Sequence, residues 1–291
     1  MPGYRCPVPA GPWEAGIQGN WLAAEERRRL GLGLHPIGCL EELIHEQGSW
    51  SAVAELPDAM SGLLLKNPHI GIAIIVNAGY PPARRRFSFA HEYAHALADG
   101  DRTVSVSCQN NAHELVEKRA NAFAAAFLMP EEGVRDFLAA VGKDRASRQV
   151  GTVFNIAEDQ ALEYGSRVKS VQPISPHDAA FMAHHFGVSY QVAVFRMRSL
   201  RMLSSDESED LMRPARVEEG RNCLKLFNMH EEKREDHSGP RNLDLGLQVA
   251  HTSIEAYRRE LISAGRLREI ARKIGVSGSE LVWVAGGTRA E

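Results

Sequence analysis

The chain has few cysteines, no long apolar run and almost no net charge. Its four cysteines among 291 residues, Cys6, Cys39, Cys108 and Cys223, include no C-x-x-C pair and no disulfide-like spacing. They are expected to remain reduced thiols in a cytoplasm. No apolar stretch reaches the roughly 20 residues that a bilayer crossing needs. Residues 1–19 are rich in proline and glycine and hold no signal-peptide core. The expectation is a cytoplasmic protein without membrane contact. A net charge of −3 gives no basic field that would draw the whole chain to nucleic acid. What is present, 44% hydrophobic and 24% charged residues, suffices for two or three globular domains with cores.

The richest segment is Ala90-His91-Glu92-Tyr93-Ala94-His95-Ala96-Leu97-Ala98, an H-E-x-x-H motif among helix formers. One helical turn separates His91 from His95, so both imidazoles can reach one metal ion, with Glu92 beside them to take a proton from water. Zn²⁺ with three protein ligands keeps a fourth position open, and the pKa of water bound there falls to about 7. The alternative is two surface histidines on an amphipathic helix. The flanks, Phe87 to Ala90 and Ala94 to Ala98, look buried, and buried histidines and a glutamate are costly without a compensating partner.

A second helix is expected from Glu114 to Met129, with Val116, Ala120, Phe123 and Phe127 along one face and Pro130 ending it. Glu117 and Asn121 lie one turn apart on an adjacent stripe, where Glu117 could supply a third ligand and Asn121 could hydrogen-bond a ligand from behind. Asp101, six residues beyond His95, and Glu114 are rivals for that third position. Ala98 stands where a pattern using Asp101 requires glycine.

Met60-Ser61-Gly62-Leu63-Leu64, Ile72 to Asn77, Arg85 to His95 and Glu117 to Pro130 together resemble the ImmA/IrrE metallopeptidases over roughly residues 35–135. The resemblance implies His91, His95 and Glu117 as metal ligands and Glu92 as general base. It implies Zn²⁺, or Mn²⁺ in the cell, as cofactor. It also implies cleavage of an Xre-type DNA-binding repressor, with induction of DNA-damage and radiation-response genes. Tyr93-Ala94 departs from the Leu-Gly common in the family, a change a helix tolerates.

The expected fold class is α+β multidomain. It comprises a flexible tail (1–20), a mostly helical zincin-like metallopeptidase domain with a small sheet (21–165), a helix-turn-helix-like segment (166–203), and a linker with a C-terminal α/β domain (204–291). Trp21–Leu30 and Ile37–Gln47 are expected as helices, and Gly71–Gly79 as a strand able to pair with extended substrate. Pro81 to Arg86 is a turn with three basic residues. Helices are expected over Glu131–Val141 and Asn155–Arg167.

Ser175 and Pro176 suit a helix start, and Gly187-Val188-Ser189 suits a turn before a second helix, Tyr190–Met202. In a DNA reader, Tyr190 and Gln191 would meet bases, while Arg196, Arg198 and Arg201 would bind phosphates. The near-neutral charge favours a protein partner over DNA. Ser204 to Asp210 reads as an acidic linker, with strands at Cys223–Phe227, Leu243–Val249 and Leu281–Val284 and a helix at Ile254–Ile274. His230 and His237 read as loop residues, and the label GAF-like for this last part comes only from the resemblance. A non-catalytic DNA-binding regulator with a structural metal is the rival reading.

Overall fold

The structure, a computed structural model, describes residues 3–4, 6–67, 71–100, 103–108, 110–143, 151–155, 160–164, 173–232 and 245–286, with backbone only at 151–155, 160–164, 228–232 and 245–248. Its elements run α1 (Pro12–Arg29), α2 (Leu40–Glu46), β1 (Ser49–Ala54), β2 (Met60–Asn67), β3 (Gly71–Asn77), α3 (Pro82–Ala98), β4 (Val104–Cys108), α4 (Leu115–Leu128) and α5 (Glu131–Ala140). A hairpin follows, β5 (Gly151–Asn155) and β6 (Gln160–Tyr164), then α6 (Pro176–Phe186), α7 (Tyr190–Ser199), α8 (Ser205–Leu211), α9 (Pro214–Glu232), α10 (Leu245–Arg258), α11 (Ala264–Lys273) and α12 (Gly278–Val284). No described helix is long and apolar enough to cross a membrane.

The sheet order is β1-β3-β2-β4, with β3 parallel to β1 and antiparallel to β2. The strand expected at Gly71–Gly79 is β3, but it has a neighbour on each side and no free edge. The role of accepting an added substrate strand therefore cannot fall to it, and only β1 and β4 offer edges in this sheet. Helix α3 packs on β2 and β3, α4 packs on α3, and α1 covers the far side of α4. The helix carrying the H-E-x-x-H motif is thus enclosed, and every residue from Ser88 to Ala98 is buried.

The expected tail is a helix from Pro12 onward. Gly16, Gly19 and Asn20 weaken helix propensity locally, yet Gly19 is what permits the contact. A Cβ there would lie 2.5 Å from the Arg119 carbonyl oxygen and 2.7 Å from the Ala122 Cβ. Tertiary burial of Ala15, Leu22 and Ala23 against α4 outweighs the propensity cost.

Tyr93, the departure from the family pattern, has a structural task. Its hydroxyl donates to the fully buried Glu26 of α1, which also accepts from Tyr4 at 2.9 Å and from Arg29 at 2.9 and 2.7 Å. Burial and this carboxylate push the Tyr4 hydroxyl up to about 12. The Tyr93 ring packs against the stacked pair Phe123 and Phe127.

The C-terminal third differs most from expectation. All described residues from Pro176 to Val284 that form regular structure are helical, so no GAF-like α/β domain forms among them. The acidic run begins at a capping box, Ser204 with Glu207, and is α8 rather than a linker. Cys223 to Phe227 lies within α9, where Cys223, Leu226 and Phe227 face the core. Leu281 to Val284 is the end of α12, and the helix expected at Ile254–Ile274 breaks into α10 and α11 around Glu260, at φ 60. Conversely, part of the helix expected at Asn155–Arg167 is the strand β6. Short apolar runs fit either element, and here the buried positions Cys223, Leu226 and Phe227 fall at helical spacing with Lys225 exposed between them. His230 has no described side chain, and His237 and Asp101 lie outside the described residues.

Candidate metal centre

The sequence of α3 puts its two histidines on the stripe facing α4, and α4 returns a carboxylate to the same place. His91 Nε2 lies 3.0 Å from Glu117 Oε2 and 3.1 Å from His95 Nε2, while His95 Nε2 lies 3.4 Å from Glu117 Oε1. All three side chains are buried, and one donor atom from each falls within 4.8 Å of the others. Three lone-pair donors this close repel or share protons unless a cation sits among them. Two imidazole nitrogens and a carboxylate are a donor set suited to a borderline divalent ion such as Zn²⁺. The residues fit a metal.

The outer nitrogens are held as well. His91 Nδ1 lies 2.9 Å from Asn121 Oδ1, and His95 Nδ1 lies 2.7 Å from Asp99 Oδ2. Each imidazole can donate its Nδ1–H outward, which directs its Nε2 lone pair inward. Asp99 in turn pairs with the buried Arg119 of α4. Burial opposes ionisation of Asp99, yet His95 and Arg119 hold its carboxyl below the usual range. Burial likewise opposes the charged form of Glu117, but hydrogen bonds from His91 and His95 pull it down to about 2. For His95, burial lowers the pKa while Asp99 and Glu117 raise it, and the sum stands at about 9.

Glu92 is fully buried and neither carboxylate oxygen has a hydrogen-bond partner among the described residues. Burial pushes its pKa up. It sits over Gly62 of β2, where a Cβ would come within 2.8 Å of Glu92 Cγ and 2.9 Å of Cδ. An orphaned buried carboxylate within Coulombic reach of His91, His95 and Glu117 is a group awaiting a proton or a water. Lys66 of β2 closes the other end of α3, donating to the carbonyls of His95, Ala96 and Asp99 at 3.3, 3.2 and 2.8 Å.

The structure therefore gathers His91, Glu92, His95, Glu117 and Asn121. Glu114, the described rival, is exposed at the N-cap of α4 and outside the cluster. Sequence reasoning missed Asp99, Arg119 and Gly62. The first had a signal: Asp99 lies four residues after His95, on the same helical face.

The five residues proposed for a partner or DNA do not form one surface. Tyr190 is buried and donates to the Leu211 carbonyl at 3.1 Å. Arg196 is buried and gives Nε to the Met129 carbonyl at 2.9 Å and Nη1 to Asn20 at 2.8 Å. Burial lowers its pKa to about 10. Both residues hold α7 in place and are structural rather than contact residues, contrary to expectation. Gln191 is half-buried, and Arg198 and Arg201 are exposed. Ser175 caps α6, the chain turns at Gly187 with φ 66, and Ser189 caps α7.

Comparison with known proteins agrees with this geometry. The Peptidase_M78 family, described as the IrrE N-terminal-like domain, matches residues 54–198. The radiation response metalloprotease IrrE of Deinococcus deserti is 30% identical over 107 residues, which cover 35% of this chain and 38% of that protein. The matched stretch contains the H-E-x-x-H helix, Glu117 and the buried cluster they form, and the chain belongs to the ImmA/IrrE family of metallopeptidases.

Proposed function

We propose that this protein is a metal-dependent endopeptidase that cleaves a DNA-binding repressor of the Xre type and thereby induces DNA-damage and radiation-response genes. The observation that carries the catalytic part is the convergence of His91, His95 and Glu117 beside the orphaned carboxylate of Glu92. These three residues would hold Zn²⁺, with Mn²⁺ as the alternative in the cell. A bound divalent ion supplies Lewis acidity toward water and the scissile carbonyl. Glu92 takes the proton from the attacking water and hands it to the leaving amine. Its raised pKa suits a group that must carry that proton between the two. Asn121 and Asp99 fix the rotation of the two imidazoles, and Arg119 keeps Asp99 ionised. Extended substrate would pair with an edge strand, β1 or β4.

The radiation-response role is drawn from the D. deserti relative, a radiation response metalloprotease, and the repressor as substrate from the family resemblance alone. A promoter-binding role is disfavoured by the burial of Tyr190 and Arg196. The test compares new protein N-termini in cells expressing the chain or its Glu92→Gln variant, with and without DNA-damaging stress. One DNA-binding protein cut only by the active form is the expected result. Identical N-termini, with a stress response still supported by the variant, would overturn the proposal.

A further inference from the structure

Strand β4 reads Val104-Ser105-Val106-Ser107-Cys108, and its pleat is turned against expectation. A strand with one buried face normally puts apolar residues inward and polar ones outward. Here Ser105 is 4% exposed and Ser107 2%, while Val104 is 54% exposed and Val106 half-buried. Both serines lie on the sheet's buried face, opposite Leu64 and Gly62 of β2. Hydroxyls on a face that favours carbon point to a polar task beneath them.

For Ser107 that task is visible in the register. It pairs with Gly62, and facing Cβ positions in an antiparallel pair lie about 4.5–5.5 Å apart. Gly62 has no side chain, and the Glu92 carboxylate fills the space a Cβ would take, with Oε1 as its nearest atom. The Ser107 hydroxyl, one bond beyond its own Cβ, therefore faces Oε1 across the vacated position. In the conformation observed, Ser107 Oγ and both Glu92 oxygens are buried without a hydrogen-bond partner among the described residues. Leaving a hydroxyl and a carboxylate unpaired in the same corner is costly. A turn of the Ser107 side chain to another staggered rotamer lets its O–H donate to Oε1 and relieves both. The neighbouring hydroxyl is already committed, because Ser61 Oγ donates to the Ser107 carbonyl at 3.0 Å and so anchors that backbone. Burial raises the Glu92 pKa, and Ser107 is among the groups that counter the rise.

We propose that Ser107 is the positioning residue of Glu92, its hydroxyl donating to Oε1 and leaving Oε2 to take and return the proton. The role as a positioner of the general base rests on the peptidase reading above, whereas the contact itself does not. Packing over a glycine fixes where the carboxylate lies, and a hydrogen bond to one oxygen also fixes its rotation. Orientation of that kind is what a proton transfer between two partners requires.

The test uses Ser107→Ala, which removes the hydroxyl and adds no volume. Its first arm is a double-mutant cycle with Glu92→Ala, read by urea melts of the metal-free full chain. Removing the serine should raise the unfolding constant about tenfold in the parent and less than about twofold where the carboxylate is already gone. Equal effects in the two backgrounds overturn the contact. The second arm follows Ser107→Ala by Zn²⁺ titration and by turnover of the protein cut in cells. The kcat should fall about 10–100-fold, with KM and Zn²⁺ affinity each within about threefold of the parent. A loss carried by KM or by Zn²⁺ binding, or an unchanged kcat, overturns the positioning role. Coupling in the melts, with no protein cut by the parent chain, sustains the Ser107–Glu92 contact and counts against the peptidase reading instead.

Discussion

Gly62 makes room for Glu92, and adding one methyl group there isolates the contribution of that carboxylate's position. A Cβ at this position would meet Glu92 Cγ at 2.8 Å and Cδ at 2.9 Å. Carbon atoms prefer about 3.5–4.0 Å, so the carboxylate must retreat by roughly 0.6–1 Å. It is fully buried and has no solvent to retreat into. A misplacement of about 1 Å costs on the order of a hundredfold in turnover. None of the atoms nearest the new methyl belongs to His91, His95 or Glu117, so metal affinity should change by less than about threefold. Overpacking should cost about 1–3 kcal/mol, partly offset by the better strand behaviour of alanine, about 0.5–1 kcal/mol. The assay pairs turnover on the substrate found by N-terminal comparison with metal titration and urea melts, for Gly62→Ala in the native and Glu92→Ala backgrounds. The stability penalty should vanish when the colliding atoms are gone. Unchanged turnover, or metal affinity falling as far as turnover, would refute the reasoning.

Asp99→Asn should lower metal affinity about 10–100-fold, because His95 loses the charged acceptor that orients it; isothermal titration with Zn²⁺ reads this directly. Gly19→Ala should destabilise the chain by about 1–3 kcal/mol, since the new Cβ collides with the α4 backbone, and a chemical melt unchanged from the parent would contradict the α1–α4 contact. Asp178 accepts from His251 at 2.7 Å, from the Ser175 backbone at 2.8 Å, and pairs with the buried Lys143 at 3.0 Å. Burial alone would raise its pKa, but these partners hold it well below the unfolded value of about 3.9. Its stabilisation is therefore complete above that value and is lost as pH falls through it toward the folded pKa. Asp178→Ala should cost about 3–5 kcal/mol at neutral pH by removing the nearer charge partner of buried Lys143, leaving it Glu255 at 3.7 Å, and the acceptor of His251, and the variant's melts should show a shallower loss of stability below about pH 4 than the parent's.

Much of the site could be read from the chain because its chemistry is local. His91, Glu92 and His95 share one helical turn, and Glu117 and Asn121 share another, so helix periodicity alone sets which side chains lie together on each element. That the two stripes face each other needed the packing of α3 on α4, which no single window of sequence contains. The same holds for Gly62 and Arg119, which reach the site from β2 and from the far side of α4. The first half of helix α1 was illegible for a related reason: Trp21–Leu30 was expected as a helix, but the glycines before it read as a tail until α4 supplies the surface that needs them. In the C-terminal third, runs such as Cys223 to Phe227 alternate well enough for a strand, and only the core they pack on selects the i, i+3, i+4 face of Cys223, Leu226 and Phe227.

Spacing along a helix is an intrinsic property of the backbone, so the sequence by itself determined which residues could form the metal cluster. Which helix faces which, which strand lies inside the sheet, and whether Tyr190 and Arg196 are surface or core depend on contacts between distant segments. Those were decided only by the tertiary structure, because burial is a property of the whole fold and not of any one segment.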